Sequence, residues 1–270
     1  MTALGPHIRQ GSMMVLRLRR TFLAVSLTAG LVSVPLAAQA AGSPTGANAS
    51  ASGATDLSGV LLDDTSGGQL SGAKAQSVAT EEKAIAAEDA ATASSVMPAT
   101  VSYTSLSITL QMQQKSEWCV PASSRATLSA FLSAPPSQTS LAKAEGTSDT
   151  RGTYVSLIPP VLNAYQSKNV YTWYKGTQSA KDLFGLLRAN VKSYRSPIIP
   201  AMQAGDLPLW QEYGYTGNHA IALYGYGSDN SSIQYADPID QSAMYGKHST
   251  NVSHIYQGTK DLGTQGGIVL

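Results

Sequence analysis

Cysteine is nearly absent: the 270-residue chain has one, Cys119. A single thiol cannot staple a fold and cannot build a thiolate metal site. In an exported chain, where cysteines ordinarily pair, it is a buried thiol, an intermolecular bridge or a nucleophile. An excess of one charge is also missing. The formal net charge is +1, which gives no electrostatic footprint for nucleic acid or an acidic membrane surface. The sequence has no His-Glu-x-x-His run and no Gly-rich stretch ending in Gly-Lys-Ser/Thr. Neither a metal centre nor a phosphate loop is expected, and no cofactor is called for. The first third is nearly free of aromatics: all three Trp and all thirteen Tyr residues lie beyond residue 100, and Phe22 is the one aromatic before it.

These absences divide the chain. A segment poor in large apolar side chains buries too little surface to offset its chain entropy. One domain is therefore expected over 101–270, a common domain size, with 41–100 as a disordered Ala/Ser/Gly-rich linker or pro-segment. Within that stretch, Thr80 to Ala91 is composed of helix formers. Residues 1–40 read as an export signal. Met14 is followed by Val-Leu-Arg-Leu-Arg-Arg, then an apolar run from Thr21 to about Leu36, then Ala38-Gln39-Ala40 as a small-x-small cleavage site. The residues before Met13 read as an upstream-start extension. Ser26, Gly30, Ser33 and Pro35 interrupt the apolar run, which is short for a spanning helix. A secreted protein without stable membrane insertion is the expectation. The sequence leaves the oligomeric state open.

Beyond residue 100 the hydrophobic period changes along the chain. Ser105 to Met112 alternates, a strand signal. Helices are expected over Trp118 to about Leu132 with Pro121 in the first turn, Ser140 to Glu145, Tyr154 to Tyr165, and Ser179 to Lys192. Strands follow at Pro197 to Met202, where the prolines point to a sheet edge, at His219 to Tyr226, and at Ser232 to Ala236. The last two are joined through Gly227-Ser-Asp-Asn as a hairpin. Helices first and an antiparallel sheet after them make an α+β layout.

A cysteine nucleophile needs a stabilised thiolate, a base, a group orienting the base, and donors for the oxyanion. Cys119 falls at the expected start of a helix, where orphan N–H groups and the dipole favour a thiolate. His219 opens a strand after Gly217-Asn218, at a sheet edge. His248 and His254 lie in a polar C-terminal tail and His7 in the export region. Asp237 ends the next strand before Pro238. A hairpin would bring it to the same end as His219, with Nδ1–H on the carboxylate and Nε2 facing the thiol. Asp229 and Asp240 are the other carboxylates nearby. Gln113 lies six positions before Cys119, placed to donate to an oxyanion, with Gln111 and Gln114 as neighbours that chemistry alone does not exclude.

The stretch Gln113-Gln-Lys-Ser-Glu-Trp-Cys-Val-Pro-Ala-Ser resembles the nucleophile motif of papain-like cysteine peptidases, in the branch that includes the double-glycine bacteriocin-leader peptidases. Gly217-Asn-His-Ala-Ile-Ala-Leu-Tyr-Gly-Tyr is similar to that branch's histidine motif, and Tyr235-Ala-Asp-Pro to its third. Gln138-Thr-Ser-Leu-Ala-Lys-Ala-Glu-Gly-Thr also has its look. Val120 stands where the leader peptidases usually carry glycine. The resemblance spans about residues 105 to 240. It implies a papain-like fold, with the nucleophile helix packed on a C-terminal antiparallel sheet, and a peptide or protein substrate. It assigns the oxyanion role to Gln113, the nucleophile to Cys119, the base to His219 and the orienting acid to Asp237. The same residues would serve a deamidase, amidase or transpeptidase, and the same fold a non-catalytic binding module.

Overall fold

The computed structural model describes residues 55–56, 59–61, 67–93, 100–263 and 266–270. The export signal expected over 1–40 lies outside the described residues. Among those described, no helix is long and apolar enough to cross a membrane.

Two four-stranded antiparallel sheets and a set of helices form the α+β fold. The first sheet has the order β11 (Gly246–Asn251), β10 (Ser232–Asp237), β9 (Ala222–Gly227), β3 (Tyr103–Ser105). The second has the order β5 (Trp173–Tyr174), β12 (Gly267–Val269), β6 (Ile199–Gln203), β8 (Asn218–Ala220). The expected hairpin is present: β9 and β10 pair antiparallel with Ala222 opposite Ala236, and Asn230 at φ 54° turns the chain between them. The run from Asn218 to Gly227 is not one strand, however. It breaks at Ile221, so that β8 pairs with β6 while β9 pairs with β10. The bridge between Ile198 and Leu223 fastens the two sheets at that break.

Helix α2 (Cys119–Leu128) runs between these layers, with nine of its ten residues buried. Ala122, Ser123, Ser124 and Ala126 keep its surface small, which lets neighbouring backbone approach closely. Pro121 sits in the first turn, where a missing N–H costs nothing. Helix α3 (Gln138–Ala144) starts on Ser137, whose Oγ accepts from the Ser140 N–H at 3.1 Å. Helices α4 (Ile158–Tyr165), α5 (Ala180–Ala189) and α6 (Pro208–Glu212) follow. A π-helical turn over Asn190–Tyr194 continues α5.

Three local expectations are corrected, and one stretch for which no elements were expected has them. Only Tyr103–Ser105 of the alternating stretch near residue 105 is strand; Leu106 and Ile108 turn into the core without a ladder beyond the Leu106 N–H. Strand β6 is internal rather than an edge. Its ladder to β8 begins at Ala201, one residue past Pro200, so the proline stands where that ladder has ended. The C-terminal tail is folded: α7 (Val252–Asp261) buries Val252 and Ile255, and β12 inserts between β5 and β6. Lastly, the stretch read as a disordered linker or pro-segment contains α1 (Gly72–Thr92), a 21-residue helix that takes in the run of helix formers.

Helix α1 packs on α5 despite its meagre apolar content. Val78 and Ile85, seven apart and thus on one face, enter the core, at about 1.5–3 kcal/mol each for such side chains. The rest of the docking is ionic. Arg188 of α5 holds Glu88 through two N–H···O bonds of 2.6 and 2.7 Å and lies 2.8 Å from Glu81. Lys192 also pairs with Glu81 at 2.8 Å. Composition alone hid this helix, because a neighbour supplies the partner for each buried carboxylate.

Arg188→Ala is expected to cost roughly 2–4 kcal/mol, since it strands the nearly buried Glu81 with one partner. Arg188→Lys restores only part of this because it lacks the planar fork. Urea unfolding gives the loss, and hydrogen exchange should rise first in α1. A second expectation concerns Glu145, fully buried at the end of α3. Burial pushes its carboxyl up to about 8, and the Ser124 hydroxyl offsets only part of that. The unfolded chain releases this proton near 4.5 while the folded chain keeps it to about 8, so stability falls as pH rises across that window. Glu145→Gln should match the wild type below that window and exceed it by on the order of a few kcal/mol at its upper end. Melting temperatures recorded across the window measure this; a constant difference would contradict it.

Candidate active site

Three elements converge on Cys119. Helix α2 places it at its first residue, so N–H groups of the first turn point past the thiol. Strand β8 carries His219, and the end of β10 carries Asp237. Ser123 fixes the helix to the strand, its Oγ donating to the Ala220 carbonyl at 2.9 Å one residue after the histidine. Cys119, His219 and Asp237 are each 1 % exposed.

The Cys119 thiol is among the groups that raise the His219 pKa, and His219 Nε2 meets Asp237 Oδ1 at 2.8 Å. Burial alone would lower the histidine pKa, but Asp237 and then Cys119 outweigh it and the pKa is raised. The imidazolium is therefore the favoured form beside the sulfur at neutral pH. Which nitrogen does what is opposite to the expectation from the sequence. Nε2 takes the carboxylate, which leaves Nδ1 for the thiol. By the β9–β10 register Asp237 lies one residue past the Ala236–Ala222 pair, where the His219 strand has already turned to β6.

Asp237 is held on every side. Its Oδ1 also accepts from the Ile239 N–H at 3.0 Å, and its Oδ2 accepts from Trp210 Nε1 at 2.9 Å. The Trp210 ring lies 4.8 Å from the His219 ring, centre to centre, at 46°. Trp210 is fully buried. A lone Trp between an Asp-Leu-Pro turn and a Tyr-rich loop carries no local sign that it will meet an Asp 27 positions on.

Gln113 is buried, whereas Gln111 and Gln114 are exposed, which separates the three glutamines. Its backbone N–H donates to the Pro238 carbonyl at 2.6 Å, beside Asp237, and its Nε2 donates to the Ser116 carbonyl at 2.6 Å. The side chain thus folds over the turn that leads into Cys119. Gln138 clamps this segment from α3. Its Nε2 donates to the Met112 carbonyl at 2.8 Å and its Oε1 accepts from the Gln114 N–H at 3.0 Å.

The remaining candidates sit elsewhere. Asp229 accepts from the Ser231 and Ser232 N–H groups in the β9–β10 turn, and Asp240 is exposed. His248 Nε2 pairs with the Met244 carbonyl at 2.8 Å and His254 Nδ1 with the Asp206 carbonyl at 3.1 Å. His7 lies outside the described residues. Among the described residues no three His, Cys, Asp or Glu side chains converge in a way that could hold a metal ion.

No curated protein and no solved structure matches the chain. A family profile does, over residues 105–263, more than half of the length, from the last residue of β3 through α7. Its description is the Peptidase_C39 like family. With the α+β fold and an antiparallel sheet packed behind a helix that begins at the lone cysteine, the chain belongs to this Peptidase_C39-like family, in the papain-like cysteine peptidase branch.

Proposed function

We propose that the protein is an exported cysteine peptidase that hydrolyses peptide bonds through a thioester on Cys119. One observation carries the reading: the only thiol in the chain meets a histidine whose far nitrogen is bonded to a buried carboxylate. Export rests on the basic and then apolar N-terminal sequence.

The chemistry follows from the placement. Sγ of Cys119, as thiolate, attacks the carbonyl carbon of the scissile bond. The oxyanion takes the Cys119 N–H and the second Nε2 hydrogen of Gln113, the first being given to Ser116. His219 passes the Nδ1 proton to the leaving amine, and the thioester remains. Water then gives a proton back to Nδ1 and attacks the thioester carbon. The product leaves as a carboxylic acid, which loses its proton to solvent, and the thiolate–imidazolium pair is restored. Asp237 keeps the Nε2 proton in place through both steps, and Trp210 keeps Asp237 in place.

Iodoacetamide alkylation of Cys119, scaled to its high-pH plateau, reads this arrangement without a substrate. The wild-type profile should extend well to the acid side of an ordinary thiol, which titrates at about 8.5. His219→Ala should return the profile to ordinary thiol behaviour. Trp210→Phe keeps the ring but removes one donor from the carboxylate, and the profile should move part of the way. A wild-type inflection at about 8.5, unaffected by His219→Ala, would leave only the binding-module reading.

A further inference from the structure

The thiol is buried, although a peptidase thiol must meet a peptide. What lies over it is the chain's own N-terminal segment. Gly59 is buried with its Cα facing the sulfur: a Cβ built there would stand 2.9 Å from Cys119 Sγ and 3.2 Å from the Glu117 Cα. Two backbone bonds hold it. The Gly59 N–H donates to the Asn218 carbonyl at 2.9 Å, directly before His219, and its carbonyl accepts from the Thr153 N–H at 3.3 Å. Beyond Gly59, β2 (Val60–Leu61) runs parallel to β4 (Thr153–Tyr154). Gly152, at φ 83°, has no Cβ, and one there would collide with the Gly59 carbonyl. The same segment is fastened before and after this point. β1 (Thr55–Asp56) pairs with β7 (Tyr215–Thr216), and the Gly68 N–H donates to the Trp173 carbonyl ahead of α1.

An extended backbone lying across a nucleophile, between an acceptor beside the base and an amide edge opposite, has the form of a bound peptide. It is not set for attack. The Gly59 carbonyl is bonded to Thr153, and Gln113 Nε2 to Ser116, so among the described residues neither is bonded to the other.

We propose that residues 59–61 occupy the peptide-binding cleft as a built-in inhibitor, docked on the Asn218 carbonyl and the Thr153 N–H where an extended substrate would lie. The proposal deepens the peptidase reading and rests on it for its meaning. The accessibility it predicts is separate from the reactivity of the thiol. The protein is then latent as made, and displacement of this segment opens the site.

The test uses the full chain at about pH 9, where most of any accessible thiol is ionised. Gly59→Leu cannot keep its backbone against Sγ and Glu117. Iodoacetamide should alkylate Cys119 about tenfold faster or more than in the wild type, the factor that one or two lost backbone hydrogen bonds carry, with an unchanged circular dichroism spectrum. Equal rates overturn the proposal. A peptidase reading that fails while the mask is real would look different: the variant still reacts faster, but both proteins keep an ordinary-thiol pH profile. Gly59→Cys decides the matter even if Gly59→Leu misfolds. Its Cβ starts near the separation of about 3 Å that a disulfide sets between a Cβ and the far sulfur. Diamide, reduced to its hydrazine as it takes two hydrogens, should join residues 59 and 119 and protect both thiols until dithiothreitol is added. Two free thiols after diamide overturn the proposal. So does Cys119-dependent cutting of the wild-type chain beside Gly59, because the segment would then be a substrate.

Discussion

A carboxylate taken out of water is costly unless donors replace what it loses. Asp237 has three at 2.8–3.0 Å: the His219 ring, the Trp210 indole and the Ile239 amide. Each comes from a different element, so satisfying this one side chain fixes β8, α6 and the chain after β10 relative to one another. The site depends on that constraint. With His219 held from its distal nitrogen, the proximal one has a single direction left, and α2 brings Cys119 to it. The Ser123–Ala220 bond locks the helix at that spacing, and the Gln113–Pro238 bond draws the segment before α2 to the same corner. Remove the carboxylate and the imidazole loses both its orientation and the charge that raises its pKa.

Local chemistry explains what the sequence made legible. A proline at the third position of a helix and a Gly-Ser-Asp-Asn turn are decided by the residues themselves; α2 starts near its expected place, though it ends at Leu128, and the β9–β10 hairpin formed where expected. The lone cysteine at a helix start was legible for the same reason. What was hidden is decided by partners far along the chain. Ile221 gives no sign that the strand changes sheets there; only the pairing with β6 on one side and β10 on the other shows it. Trp210 and Gln138 were equally silent, since their work consists of bonds to backbone and side chains brought near by the fold. Helix α1 looked too polar to pack, because its buried Glu81 is tolerable only beside Arg188 and Lys192.

Helix α1 also bears on how a mask held by few contacts stays in place. Two backbone hydrogen bonds contribute about 0.5–1.5 kcal/mol each, which would not hold a free peptide of this length against loss of its translational freedom. Tethering changes the balance. Residues anchored through α1 on one side and through β1 on the other meet the cleft at the effective concentration of a short linker, of order millimolar, and little ordering entropy is left to lose. The strength of the mask therefore resides in the Arg188–Glu88 and Arg188–Glu81 contacts of α1 with α5 as much as in the bonds at Gly59. Loss of the α1 anchor or a cut between α1 and Gly59 lowers that effective concentration without touching any residue of the site. A weak lock on a strong tether can be opened by one distant event, and the buried Cys119–His219–Asp237 set needs no rearrangement when it is.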